Sequence, residues 1–257
     1  MPHDSSPFGK KVFFLNPHSV LGEVLHLLAA AEFEVYTTSD HGKLARYLTR
    51  YPESLVFVNV DEGDDEGKWR SWIAAIKEAL PSGGPGFGVL TMQPDDDKRS
   101  AYLLTLGVEC GFITVKQGAA KTADILLRTL EANEARGRRR FVRANCPNDA
   151  GDFNYSGLSG TVRGTLRDIS VVGMSAFFPE GDAPKTGTRI KDLQLNLKGT
   201  RVILNGVVLG GRDEAQSDAL RVLMFEPASL DDDKRGKLRG FIRKVLQSTM
   251  EQELAQA

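Results

Sequence analysis

Arg138-Arg139-Arg140-Phe141-Val142-Arg143 and, after the 24 residues 144–167, Asp168-Ile169-Ser170-Val171-Val172-Gly173 form the stretch of this 257-residue chain that decides its fold. The first half reads RxxxR on Arg139 and Arg143, and the second reads DxSxxG on Asp168, Ser170 and Gly173. Either spacing alone is cheap. Arg136 and Arg140 also make an RxxxR, and an arginine cluster after a helix is ordinarily a solvated face. The information lies in the order of the two motifs and in their setting. Gly164-Thr165-Leu166 leads in as a strand, and Met174-Ser175-Ala176-Phe177-Phe178 leads out as another.

The residue types suit an anionic ligand with purine edges. Arginine is always charged and presents a planar fork of donors, so it can bind phosphate oxygens bidentately and stack on a base. The same fork matches the O6/N7 acceptors of guanine. Asp168 can accept from the donor edge of guanine. In an extended segment Asp168 and Ser170 are two residues apart and point to the same face. Gly173 carries no Cβ and lets backbone approach a ligand or take positive φ.

Downstream of the arginines, 145–160 is rich in Gly, Asn, Asp and Ser, which is loop chemistry. Short strands are then expected over 160–168, 173–178, 189–197, 201–209 and 219–225. Turn signals separate them at Pro179-Glu180-Gly181, Lys198-Gly199-Thr200 and Gly210-Gly211-Arg212-Asp213. Strands at this spacing imply an antiparallel barrel or sandwich. A helix is expected from Leu230, capped by Ser229 with Asp232 completing the cap. Leu238, Phe241, Ile242, Val245, Leu246 and Met250 form one apolar stripe on it.

The paired motifs resemble those of the PilZ domain, a small β-barrel that binds cyclic di-GMP. The resemblance covers roughly residues 137–250. It implies a six-stranded antiparallel barrel with a C-terminal helix over 144–257, entered through a basic hinge at 134–143. It also implies a ligand set of Arg138, Arg139, Arg140, Arg143, Asp168, Ser170 and Gly173. Cyclic di-GMP would be a ligand there rather than a catalytic cofactor.

The first half alternates strand and helix. Strands are expected over 11–15, 34–38, 55–60, 88–92 and 111–115. Helices are expected from Ser19, with Leu21, Val24, Leu25 and Leu28 inward, and over 40–50, 69–80, 98–106 and 122–135. Five such pairs imply a doubly wound five-stranded parallel sheet over 1–133. The pattern resembles the receiver domain of response regulators, a flavodoxin-like fold. A working receiver needs an acidic pair after its first strand and an aspartate ending the third. Here Asn16-Pro17 and Asn59 stand at those places, whereas Thr91 and Lys116 match the later positions. An amide cannot form an acyl phosphate, and a hard cation lacks its carboxylates, so the resemblance implies a pseudo-receiver. Asp61, in the acidic run 61–66, is the one alternative acceptor.

Composition narrows the remaining choices. Apolar residues at 41% and charged residues at 26% fit an ordinary globular chain. A net charge of −1 argues against broad adhesion to nucleic acid or membrane. Cys110 and Cys146 form neither a metal spacing nor a disulfide framework, which fits a reducing cytoplasm. His18, His26 and His41 are dispersed. The run Val12-Phe13-Phe14-Leu15 is too short for a signal-peptide core or membrane span.

No nucleophile–histidine pair, phosphate loop or metal cluster is visible. The expectation is a cytoplasmic sensor, not an enzyme, in which cyclic di-GMP changes the arrangement of two domains and so regulates a downstream protein partner. It would act as a monomer or homodimer, without nucleic acid or membrane insertion. Two other readings stay open: a phosphorylation-driven response regulator using Asp61, and a ligand-independent interaction module. A nucleic-acid module on residues 136–143 is weakened by the lack of aromatics other than Phe141.

Overall fold

The computed structural model describes residues 9–81, 83–147, 150–157, 160–179, 181–211 and 219–256. Ser82, Glu180, Arg212 and Asp213 of the turn signals, and Asn148, Asp149, Leu158 and Ser159 of the polar loop, lie outside the described residues. The chain divides into two compact units, Met1–Arg140 with Thr249–Ala257, and Phe141–Ser248.

In the first unit, β1 (Val12–Leu15), β2 (Val35–Thr38), β3 (Leu55–Asn59), β4 (Gly86–Thr91) and β5 (Phe112–Thr114) pair in parallel in the order β2-β1-β3-β4-β5. Every residue of β1 and β3 is buried, as parallel strands covered on both faces require. The helices α1 (Leu21–Ala30), α2 (His41–Leu48), α3 (Glu66–Ala79) and α5 (Ala119–Ala132) alternate with the strands. Between β4 and β5 the expected single helix is α4 (Asp96–Ser100) followed by a π-turn segment, Ala101–Thr105, where Leu106 N–H donates to Ala101 O at 3.1 Å.

Local capping shifts several boundaries. Asp65 accepts from Lys68 N–H, so α3 starts at Glu66, within what reads as a solvated acidic loop. Ser19 does not cap α1. Val20 holds the cap position without a side-chain bond, and His18 Nδ1 accepts from its N–H at 3.3 Å.

The second unit contains β6 (Arg143–Asn145), β7 (Asp152–Gly157), β8 (Gly160–Ser170), β9 (Gly173–Phe177), β10 (Arg189–Leu197), β11 (Thr200–Gly211) and β12 (Leu220–Phe225). Antiparallel pairing runs β8-β7-β10-β11-β12-β9 and closes through β9 onto β8, giving a six-stranded barrel. β6 is an added short strand. It pairs with β8 at 168–170, beyond the stretch 160–165 that β7 covers.

β7 and β6 correct the reading of 145–160 as loop. Polar residues dominate the composition of that segment, but Phe153 and Tyr155 alternate with Asp152, Asn154 and Ser156, and Phe153 is fully buried. Its ring lies 4.8 Å from that of Phe178. Two aromatics at period-two positions outweigh the turn-forming neighbours.

The final helix, α6 (Asp232–Gln256), places Leu238, Phe241, Ile242 and Val245 in the barrel core, with Leu246 partly buried against it. Its cap is Asp231, which accepts from Lys234 N–H at 2.8 Å. Ser229, the expected cap, instead donates to Glu226 O at 2.8 Å and accepts from Asn205 N–H at 3.0 Å, tying the approach to α6 onto β11. Among the described residues no helix is long and apolar enough to cross a membrane.

Candidate functional site

The site is built by the register of three neighbouring strands. Across β6, β8 and β9 the Cα partners are Arg143, Ser170 and Gly173 in one row, and Asn145, Asp168 and Ser175 in the next. Directly opposed residues share a face, and so do residues two apart. These six positions therefore form one polar array. Between the rows Ala144, Ile169 and Met174 face the other way, and all three are buried in the barrel core.

A bulge makes this possible. The β8–β9 register shifts between Leu166 and Asp168, leaving Arg167 extra. Strict alternation would put Leu166 and Asp168 on the same face. With the extra residue, Leu166 and Ile169 both enter the core while Asp168 and Ser170 face away from it. Cys146 N–H donates to Arg167 O at 2.7 Å and holds the bulge against the chain leaving β6.

Within the array the side chains are engaged with one another. Arg143 Nη1 lies 3.1 Å from Asp168 Oδ1, an ion pair in which the arginine side chain is 29% exposed and the aspartate 3%. Ser175 Oγ–H donates to Asp168 Oδ2. Ser170 Oγ–H donates to Gly173 O at 3.1 Å across the two-residue turn Val171-Val172. A buried carboxylate is tolerable only with such partners.

Gly173 has a reason different from the two anticipated. Its φ is not positive, and a Cβ there would strike the carbonyl oxygen of Leu223 on β12. The glycine lets β9 and β12 approach, with Met224 opposite it.

Cys146 follows the array. Burial, and next the charge of Asp168, push its thiol up to about 12.

Of the residues anticipated from sequence, Arg143, Asp168, Ser170 and Gly173 come together on adjoining strands. Arg138, Arg139 and Arg140 are exposed and belong to the segment without helix or strand between Ala132 and Arg143, on the first unit's side of the division. Arg136 packs over the Phe33 ring at 4.8 Å and pairs with Glu131. Ser175 and Asn145 were not anticipated. A hairpin turn of two residues between Ser170 and Gly173 pairs 168 with 175, so the signal for Ser175 was present in the register.

The first unit has its own polar cluster at the strand ends. Asn59 is 2% exposed, and its Nδ2 donates to Asn16 O at 2.8 Å. Asp61 N–H donates to Asn59 Oδ1. The Asp61 carboxylate accepts from Thr91 Oγ–H at 2.7 Å and from Met92 N–H at 2.5 Å. Lys116 is exposed, in a short 3-10 turn. Among the described residues no group of three or more His, Cys, Asp or Glu could hold a metal ion.

No family model and no curated protein matches the chain. Solved structures similar to it include the PilZ domain with c-di-GMP of YcgR from Escherichia coli, at 16% identity and a TM-score of 0.38, covering 45% of this chain and 97% of that one. The K. pneumonia MrkH–c-di-GMP complex is similar at 18% identity and a TM-score of 0.35, covering 48% of this chain and 57% of that one. Vibrio cholerae chemotaxis protein CheY4 is similar at 18% identity and a TM-score of 0.39, covering 49% of this chain and 98% of that one.

Proposed function

We propose that this chain is a cyclic di-GMP receptor of the PilZ type. The observation that supports this most is the meeting of the two motifs. Arg143, from RxxxR, and Asp168, from DxSxxG, are 25 residues apart in sequence, yet they pair across neighbouring strands. In this reading Arg143 and Arg139 bind phosphate oxygens and the O6/N7 edge of guanine. Arg138 and Arg140 add positive charge beside them. Asp168 and Ser170 contribute from β8, and Gly173 keeps the strand pair compact.

The mechanism is ligand-ordered docking. Residues 134–143 act as a hinge between an α/β domain over 1–133 and a barrel domain over 144–257. Two phosphates and two guanines satisfy the arginine segment, and the segment closes on them. The ligand shifts the equilibrium by its differential affinity for the two arrangements, and by no more than that. The α/β domain then serves as the surface read by a downstream protein, with no chemistry of its own. Processes governed by PilZ proteins, such as motility, exopolysaccharide production, adhesion and virulence, are the setting.

Calorimetric titration of cyclic di-GMP, with cyclic di-AMP and GTP as controls, tests this reading. Micromolar or tighter selective binding, lost in Arg139→Ala/Arg143→Ala, supports it. Folded wild-type protein that gives no heat makes the barrel a scaffold and the chain an interaction module.

A further inference from the structure

We propose that Ser175 is a positioning residue of the ligand site, holding the Asp168 carboxylate so that it orients Arg143. This rests on the cyclic di-GMP reading and assigns a division of labour within it.

The argument starts from burial. Asp168 is 2% exposed and Ser175 1%. Both oxygens of this enclosed carboxylate face protein groups in the ligand-free chain, Oδ2 toward the Ser175 hydroxyl and Oδ1 toward Arg143 Nη1 at 3.1 Å. Arg143 is the half-exposed member, with 29% of its side chain open. The contacts therefore run from Ser175 through Asp168 to Arg143.

Ser175 faces Asp168 directly across the β8–β9 ladder, so backbone pairing fixes its hydroxyl against the carboxylate. With one oxygen held, the carboxylate plane is set and its second oxygen is aimed at the guanidinium. An arginine held this way loses less side-chain freedom on binding, and that lowers the entropic cost of capturing an anion. Without the hydroxyl, the carboxylate can turn about its terminal torsion, a soft two-fold rotor, and the guanidinium loses its fixed aim.

The test compares wild type, Ser175→Ala and Ser175→Thr in the full chain. Three quantities are measured: affinity for cyclic di-GMP by calorimetry, the thermal midpoint, and the Arg143 side-chain Nε–H signal in ligand-free protein by NMR. Ser175→Ala is expected to weaken binding about tenfold, the scale of one lost hydrogen bond to a charged group. It is also expected to speed solvent exchange of the Arg143 Nε–H. Ser175→Thr, which keeps a hydroxyl and suits a strand, is expected to restore both.

Unchanged affinity together with an unchanged Arg143 signal in Ser175→Ala would overturn the proposal. So would a loss that follows the thermal midpoint alone and is not rescued by threonine. If wild type binds no cyclic di-GMP, the functional reading fails, while the Arg143 signal still decides whether Ser175 positions the arginine.

Discussion

Asp168 shows how much of a side chain's chemistry is set by what surrounds it. Enclosed by Ser175 and Arg143, its carboxylate is both a structural tie and the anchor of the partly open Arg143. Asp168→Ala strips the serine hydroxyl and the guanidinium of their partner together. Urea unfolding is expected to show a loss of about 1–3 kcal/mol, the scale of a buried group left unsatisfied.

Cys146 reports the same environment. Its thiol, pushed up to about 12 by burial and then by Asp168, is almost wholly protonated at pH 8. Its reaction with a disulfide reagent is therefore slow, because the thiolate is the nucleophile. Asp168→Asn removes the charge contribution and is expected to speed that reaction.

Buried Cys110 is also pushed up to about 12, by burial first and Glu109 next. The folded chain holds these protons where unfolded thiols, ionising near 9, release them. The contribution to stability is full below about pH 9 and is lost as pH rises toward 12.

At the scale of elements, the bulge at Arg167 and the short strand β6 do the positioning. Deleting Arg167 removes the extra residue, so strict alternation then keeps Leu166 inward and Asp168 outward, but Cys146 N–H loses its acceptor, Arg167 O. The deletion variant is expected to lose about 0.5–1.5 kcal/mol, the scale of one hydrogen bond, and to keep the Arg143–Asp168 pair, whereas Arg167→Ala keeps both the extra residue and its carbonyl and stays close to wild type in urea unfolding.

In the first unit the Asp61 carboxylate braces the turn after β4 through Thr91 and Met92 N–H. Asp61→Asn is expected to speed amide exchange at Met92 and Gln93. Intact-mass measurement with a phosphodonor is expected to show no addition at Asn59.

The elements also show what a sequence discloses. The apolar runs of β1 and β3 and the strand–helix alternation were legible because burial on both faces writes itself as continuous hydrophobicity. Arg143, Asp168 and Ser170 were legible as residue types at a spacing, and period two placed the last two on one face. β7 was not, because Phe153 and Tyr155 stand alone among turn-formers. The caps Asp65 and Asp231 each stand beside other acidic residues that fit the position equally well, so composition does not choose between them. Ser175 was hidden because its role depends on a register that the turn Val171-Val172 sets.

For the whole molecule, the proposed mechanism couples the α/β unit to the barrel through a basic segment. Ligand-ordered docking predicts that small-angle scattering profiles of the full chain change on saturation with cyclic di-GMP. It also predicts that trypsin cleavage at Arg136–Arg140 slows, because a segment clamped on a ligand is a poorer protease substrate. Profiles and cleavage that stay the same in saturated protein would separate binding from rearrangement.

The central claim is that cyclic di-GMP sits on the β6–β8–β9 array. A residue-resolved NMR titration of the full chain tests it most directly. The account predicts saturable shifts concentrated at 138–146 and 167–175, with the Arg143 side chain among the largest. Saturable binding whose shifts lie elsewhere, or no shifts at all in folded protein, would contradict it.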